Sequence, residues 1–418
     1  MNAEIIAIGS ELLTPFRVDT NSLFLTHQLN LLGIEVLRKH VVGDNRENLR
    51  DTFRAALERV GLVVAIGGLG PTEDDLTRET ISELLGRALR QDDEILRKIE
   101  ERFRRFGRTM APANAKQAQV PEGAVVLPNK RGTAPGLWLE SSGRVVVLLP
   151  GPPPELEPMF LDHVAPRLQG AARGVQLFAR ELRVTGMAES SVDQLIAPIY
   201  SSYTDAQTTI LASPGEIQIH LRVWSNDQPA AERLLGEMVE RITLALGDNV
   251  FSLQGEPLEE VVGRELGWHG ATIAVAESCT GGLVAQRLTS IPGSSSYFLG
   301  GVVCYSNELK AAWVDVPAEL IEQKGAVSPE VARALAEGIR RRSGATLGLA
   351  VTGLAGPAGG TPEKPVGTVH VALANSSTVS ERTLRFPGER ELVRLQASQA
   401  AMDSVRRYFL YAKGKPKQ

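Results

Sequence analysis

The chain has 418 residues, more than one hydrophobic core ordinarily organises, so two or three domains are expected. Apolar residues at 43%, charged residues at 22% and no run of 18 apolar residues exclude disordered, collagenous and helical membrane-spanning classes. A formal net charge of −4 argues against a protein whose main partner is a phosphate backbone, and direct nucleic-acid binding is not expected.

The opening MNAEIIAIGS has no basic flank before an apolar core, so a cytoplasmic chain without membrane contact is expected. Short apolar runs then alternate with helical periods. Strands are predicted at Glu4 to Ile8, Glu35 to Val42, Leu62 to Ile66, Val125 to Leu127 and Val145 to Leu149. Helices are predicted at Ser22 to Leu32, Leu49 to Val60, Thr77 to Leu85 and Asp93 to Phe106. This alternation implies a mostly parallel, helix-covered sheet with ligands at the carboxyl ends of its strands. GGLGPTEDD, Gly67 to Asp75, sits at such an end. Gly67, Gly68 and Gly70 let the backbone approach a ligand, Thr72 can cap a helix or bind phosphate, and Glu73, Asp74 and Asp75 can hold a hard cation or cap the next helix.

LQGAARGVQ, Leu168 to Gln176, breaks the pattern and reads as a linker. Beyond it lie ELRVTGM, a predicted helix from Glu189 to Ile199, the strand EIQIHLRVW and a helix from Pro229 to Leu246. Ile217, Ile219 and Leu221 alternate with Gln218, His220 and Arg222, the period of a half-buried strand, so His220 is expected to face solvent. The segment lacks a clear Gly-x-x-Gly clamp for a nucleic-acid backbone.

A second break at Gln254 to Pro257 introduces a further α/β pattern: helix Leu258 to Trp268, strand Thr272 to Ala276, helix Gly281 to Leu288, strand Gly301 to Tyr305, helix Pro329 to Arg341, and strands Thr346 to Val351 and Gly367 to Ala374. AVAESCTGG, from Ala274 to Gly282, puts a hydroxyl and a thiol where an apolar strand meets a helix. A nucleophile there is expected beside unpaired helix amides able to hold an oxyanion. YSNELK, Tyr305 to Lys310, adds a phenol and an amine, and a buried lysine can serve a serine as base. The two cysteines, Cys279 and Cys304, cannot build a disulfide framework and read as small buried residues, although a thiolate at Cys279 would be favoured at a helix N-terminus. The basic tail Lys413 to Lys417 reads as a solvated end.

AESCTGG, YSN-x-x-K and TGLAGPAGGTPEKPVGTV (Thr352 to Val369) resemble the nicotinamide mononucleotide deamidase domain of the competence/damage-inducible CinA family. GSELL (Gly9 to Leu13), DTNS (Asp19 to Ser22), VGD (Val42 to Asp44), GGLGPTEDD, NKRGTAPG (Asn129 to Gly136) and LPGPPPE (Leu149 to Glu155) resemble, in order, its molybdopterin-binding-like domain. The resemblance implies two α/β three-layer domains, residues 1–170 and 256–412, flanking a small α+β KH-like domain at 177–252. It gives Ser278 as nucleophile and Lys310 as base, with Tyr305 and Thr352 supporting them. Arg390, Thr280, Gly281, Gly282, Gly353 and Gly356 would bind the nucleotide. In the first domain it implies hydrolysis of ADP-ribose assisted by potassium and a divalent metal (cobalt, manganese or magnesium). Gly67, Gly68, Gly70, Thr72, Lys130, Gly132, Thr133 and Gly151 would hold that substrate, Lys130 or Arg131 being the fixed cation. Glu11, Asp19, Asp44, Asp74 and Asp75 are the metal candidates, with no choice among them. No cofactor is expected for the deamidase domain, and a homodimer is implied. Two alternatives stay open: a first domain that binds a pterin or nucleotide without hydrolysing it, and a non-enzymatic partner in DNA uptake or repair.

Overall fold

The computed structural model describes residues 1–169 and 174–412; part of the Leu168 to Gln176 break and the tail Lys413 to Lys417 lie outside the described residues. The chain divides into two compact units, residues 1–178 with 224–231, and residues 179–223 with 232 onward. Among the described residues no helix is long and apolar enough to cross a membrane.

The first unit runs β1 (Asn2–Ile8), α1 (Asn21–Leu31), β2 (Glu35–Val42), α2 (Arg46–Arg59), β3 (Leu62–Ile66), α3 (Thr77–Leu84), β4 (Leu89–Gln91), α4 (Asp93–Arg105), β5 (Gln119–Pro121), β6 (Val125–Leu127), β7 (Gly136–Ser141), β8 (Arg144–Leu149), α5 (Pro153–Met159) and α6 (Ala165–Leu168). Its main sheet has the order β2-β1-β3-β8-β7-β6, with β2, β1, β3 and β8 parallel. The inner strands β1, β3 and β8 are largely apolar and buried on both faces, as a helix-covered parallel sheet requires, whereas the edge strand β2 exposes Arg38 and Lys39. Ala3, Ile5 and Ala7 join one core with Leu25, Leu29 and Phe160, whereas Ile6 and Ile8 join another with Phe53 and Ile81. Because β1 lies between β2 and β3, the chain crosses over at the carboxyl end of β1, where an open α/β sheet leaves a crevice.

Next in the chain, and mostly within the second unit, β9 (Gln176–Thr185), α7 (Glu189–Tyr200), β10 (Ala206–Ser213), β11 (Glu216–Ser225), α8 (Gln228–Leu246) and β12 (Val250–Ser252) build a small α+β layer with sheet order β10-β11-β9-β12. Ile217, Ile219 and Leu221 are buried, while Gln218, His220 and Arg222 on the other face are half-buried, so His220 is less exposed than its alternation implied. The last part runs α9 (Leu258–Trp268), β13 (Ile273–Glu277), α10 (Leu283–Thr289), β14 (Phe298–Val303), α11 (Asn307–Val314), α12 (Ala318–Lys324), α13 (Pro329–Ser343), β15 (Leu347–Gly353), β16 (Thr368–Ala374), β17 (Val379–Arg385) and α14 (Arg390–Ala412). Its sheet order is β14-β13-β15-β16-β17, the first three strands parallel, and β13 is again a crossover point between its two neighbours. Helices α9, α10 and α14 cover one face and α11, α12 and α13 the other. The predicted fold class holds.

Within this unit α14 is tied to the small layer. Asp403, 2% exposed, accepts from Arg406 Nε at 2.9 Å and Arg407 Nε at 2.6 Å. Arg406 also donates to the Asp248 carbonyl at 2.7 Å, and Arg407 to Asn249 Oδ1 at 2.9 Å.

Candidate functional site

In the last domain the carboxyl ends of β13, β14 and β15 converge. The Ser278 amide donates to the Val351 carbonyl and the Cys304 amide to the Glu277 carbonyl, both at 2.9 Å, so the segments carrying Ser278, Tyr305 and Thr352 lie side by side. Chain then turns into α11, capped by Ser306 Oγ accepting from the Leu309 amide, which explains why β14 ends before Tyr305. Lys310 sits one turn into α11, on the face that also buries Val314, and is 1% exposed. Its Nζ donates to the Tyr305 carbonyl at 2.8 Å. Burial pulls the Lys310 amine below its ordinary pKa of 10.5, with Cys304 and Cys279 opposing. Ser278 is 8% exposed, and among the described residues no hydrogen bond joins its Oγ to Lys310 Nζ.

Arg390, the first residue of α14, donates from Nη2 to the Tyr305 phenol oxygen and from Nη1 to the Gly356 carbonyl, each at 2.9 Å. One turn further, Arg394 donates to the Thr280 carbonyl at 2.8 Å. The Thr280 hydroxyl is buried without a partner among the described residues. Thr352 is fully buried and its hydroxyl donates to the Ala326 carbonyl at 2.9 Å. Gly356 has a left-handed φ of 82°. Gly353 serves strand pairing: a side chain there would meet the Thr368 carbonyl at 2.8 Å.

One expectation fails here. The amides at the start of α10 are not free, because the buried Glu277 carboxylate takes them: Gly282 at 3.0 Å, Val284 at 3.1 Å and Ala285 at 2.8 Å. Gly281 donates to the Ser278 carbonyl instead. Gly281 and Gly282 both adopt left-handed backbone, with φ of 60° and 94°, so α10 begins later than its pattern suggested and the two glycines form the turn that brings those amides onto Glu277. The carboxylate already occupies the place of an anion at this helix end. Cys279 is corrected as well. Burial pushes its thiol up to about 12, against the helix-terminus effect that would have favoured a thiolate.

In the first domain a cavity of about 320 Å³ opens at the carboxyl ends of β1, β2, β3 and β8. Glu11, Asp44, Gly67, Gly68, Gly70, Thr72, Asp74, Asp75, Thr133 and Gly151 all line it. Four other candidates, Asp19, Lys130, Arg131 and Gly132, fall elsewhere. Asp19 caps α1, accepting from the Ser22 amide at 3.0 Å. Lys130 pairs with Asp162 at 3.0 Å and, with Arg131, borders a separate hollow. Gly132 packs so closely that a side chain would overlap the Glu155 carboxylate. Asp44 holds the Ser10 amide at 2.7 Å, and Asp75 accepts the amide and hydroxyl of Thr72. Among the described residues no three His, Cys, Asp or Glu side chains are placed to share a metal ion. Asp19, Asp44 and Asp75 each commit one carboxylate oxygen to a backbone amide and keep the other.

Models of three domain families match the chain: the probable molybdopterin binding domain at residues 4–170, the damage-inducible protein CinA KH domain at 179–252, and the CinA C-terminal domain at 255–409. A "CinA-like protein" of Acidobacterium capsulatum is 50% identical, covering 97% of this chain and 99% of its own length. The chain belongs to the CinA family. Another "CinA-like protein", from Koribacter versatilis, is 46% identical over 97% of this chain and 99% of its own. A solved CinA structure from Thermoplasma acidophilum, of stated unknown function, is 38% identical over 38% of this chain and 94% of that one, with a TM-score of 0.36.

Several residues of this CinA-family chain escaped the sequence. Glu277 carried one signal, an acid placed directly between an apolar strand and two glycines. Arg394 carried another, lying one helical turn from Arg390. Arg78, fully buried beneath the glycine turn, and Lys116, donating to the Thr72 and Asp75 carbonyls at 2.9 and 2.7 Å, gave none.

Proposed function

We propose that this CinA-family protein is a two-site hydrolase of pyridine nucleotides, deamidating nicotinamide mononucleotide in its last domain and cleaving the pyrophosphate of ADP-ribose in its first. The observation that carries the first activity is the buried Lys310, its amine below the ordinary pKa and steered by the carbonyl of Tyr305, whose segment lies alongside the one carrying Ser278. A neutral amine has one lone pair, and giving one N–H to Tyr305 aims that pair elsewhere.

In the reaction Ser278 Oγ adds to the carboxamide carbon while its proton passes to Lys310 Nζ. The tetrahedral oxyanion collapses, the carbon–nitrogen bond breaks, and Lys310 returns the proton to the departing ammonia. Water then adds to the acyl-serine with Lys310 again as base, releasing the carboxylate and the serine. With the α10 amides held by Glu277, the oxyanion would fall to the Cys279 and Thr280 amides, which have no backbone acceptor among the described residues and lie against the Cys279 sulfur. Arg390, held between Gly356 and Tyr305, would meet the nucleotide phosphate, and its guanidinium supports that role. Ammonia release from nicotinamide mononucleotide by the purified chain tests the assignment; none at substrate saturation would sink it.

The first-domain activity rests on the cavity that gathers the glycine turn and five carboxylates. A pyrophosphate needs donors on its non-bridging oxygens, which the turn can offer. A divalent cation or potassium would have to arrive with the substrate, whose oxygens would fill most of its shell, leaving Glu11 and Asp74 to join them. Turnover of ADP-ribose with added cobalt or manganese separates a hydrolase from a domain that merely binds a nucleotide or pterin.

A further inference from the structure

The carbonyls of GGLG are all drawn to one side. Gly67 O accepts from the Thr77 hydroxyl at 2.9 Å, and Gly68 O from the Thr77 amide at 3.2 Å. Leu69 O and Gly70 O accept from Arg78 Nη1 at 3.0 Å and Nη2 at 3.1 Å. In a trans peptide the C=O and the following N–H point in opposite directions. Four carbonyls facing α3 therefore turn the amides of Gly68, Leu69 and Gly70 away from it; Pro71 has none to offer. Those three residues line the cavity, and their amides have no backbone acceptor among the described residues. Successive amides facing one hollow form an anion-binding nest. The glycines are required by space as well: a side chain at Gly67 would strike the Ile8 carbonyl at 2.4 Å, and one at Gly68 the Thr77 hydroxyl at 2.1 Å.

Arg78 has no side-chain ion pair among the described residues, although Asp75 and Glu79 act on it through space, and its Nε is buried without a partner. Glu79 is itself paired with Lys116 at 3.4 Å. A sealed guanidinium balanced mainly by carbonyl dipoles leaves a positive field under the turn.

We propose that Thr77 and Arg78 form a positioning clamp that holds the GGLG amides open toward a diphosphate group, with Arg78 as the fixed cation of that site in place of Lys130 or Arg131. The proposal deepens the ADP-ribose reading and rests on it for the ligand class, but it is tested without turnover.

The experiment measures binding of inorganic pyrophosphate to the full chain by calorimetry at two ionic strengths, with thermal melting as a check on folding. Arg78→Met should weaken affinity tenfold or more and flatten its salt dependence, since the fixed charge is gone. Arg78→Lys keeps the charge but cannot span both carbonyls, so it should fall only a few-fold and keep the wild-type salt dependence. If Arg78→Met does not fold, Arg78→Lys and Thr77→Val decide, each expected to bind more weakly. Wild-type affinity in a folded Arg78→Met, or in both substitutes, overturns the clamp, as does a wild-type chain that ignores pyrophosphate. If pyrophosphate binds in an Arg78-dependent way but ADP-ribose is not cleaved, the hydrolase reading fails and the clamp stands.

Discussion

Glu277 Oε1 accepts the Ala285 amide at 2.8 Å, and with Gly282 and Val284 on Oε2 the carboxylate closes the start of α10 from within. Charge-assisted bonds to a buried acid are strong, and orphaned helix amides cost more than the bonds were worth. Glu277→Ala should destabilise the last domain by roughly 2–4 kcal/mol. Glu277→Gln, which retains one acceptor oxygen, should lose less. Thermal unfolding of both variants checks this, and equal melting for wild type and the alanine variant would mean that α10 is held by packing alone.

Ser278→Ala should lower ammonia release from nicotinamide mononucleotide by about 10³ or more, while ADP-ribose cleavage continues. Parallel assays on one preparation check both halves. Near-normal ammonia release from a folded variant would return the nucleophile to the neighbouring thiol.

Cys279 should be dispensable. A thiol pushed up to about 12 by burial stays protonated at neutral pH. Iodoacetamide should therefore label Cys279 far more slowly than an exposed cysteine, and Cys279→Ala should keep activity within a few-fold. Rapid labelling with loss of activity would contradict this.

Lys310→Arg should be nearly as inactive as Lys310→Ala, because arginine cannot give up its proton at working pH. The native rate should rise with pH to a plateau, with its inflection below 10.5 as the buried ammonium loses its proton. Stability follows the same sign. Between the lowered folded pKa and the unfolded value the unfolded chain binds more protons, so native stability rises with pH across that window. Lys310→Met should flatten both dependences; an unchanged pH profile for its residual activity would assign the inflection to another group.

Replacing Asp74 and Asp75 together by Asn should abolish metal-dependent ADP-ribose turnover and leave ammonia release intact. The Asn side-chain oxygen at 75 can still accept the Thr72 amide, so the turn should persist. A metal titration of the double variant beside wild type decides, and an unchanged rate and metal requirement would move the search to Glu11 and Asp44.

The strand whose apolar run is unbroken was legible to the residue, at Leu62–Ile66. The edge strand β17, VSERTLR, was not, since its exposed, charged face has little apolar alternation to read. Helix α14 was missed because small and polar residues such as Ser398, Gln399 and Asp403 are buried on it, which blurs the usual apolar stripe. The site followed the same logic. Ser278, Tyr305 and Lys310 stand in compact motifs, whereas the importance of Glu277 and Arg78 depends on burial and on which backbone groups face them. Lys130 misled because its charge was visible and its Asp162 partner, 32 residues away, was not.

The Asp403 network makes α14 a shared beam. At one end the helix presents Arg390 and Arg394 to Tyr305 and Thr280; near the other it grips the Asp248–Asn249 turn of the small sheet layer. Severing the chain between that layer and α9 would leave Arg406 and Arg407 without those partners while keeping Ser278, Lys310, Arg390 and Arg394. An excised last domain would thus retain its chemistry with a slacker arginine pair, so comparing its Michaelis constant with that of the intact chain would reveal whether the small domain works as ballast for substrate capture.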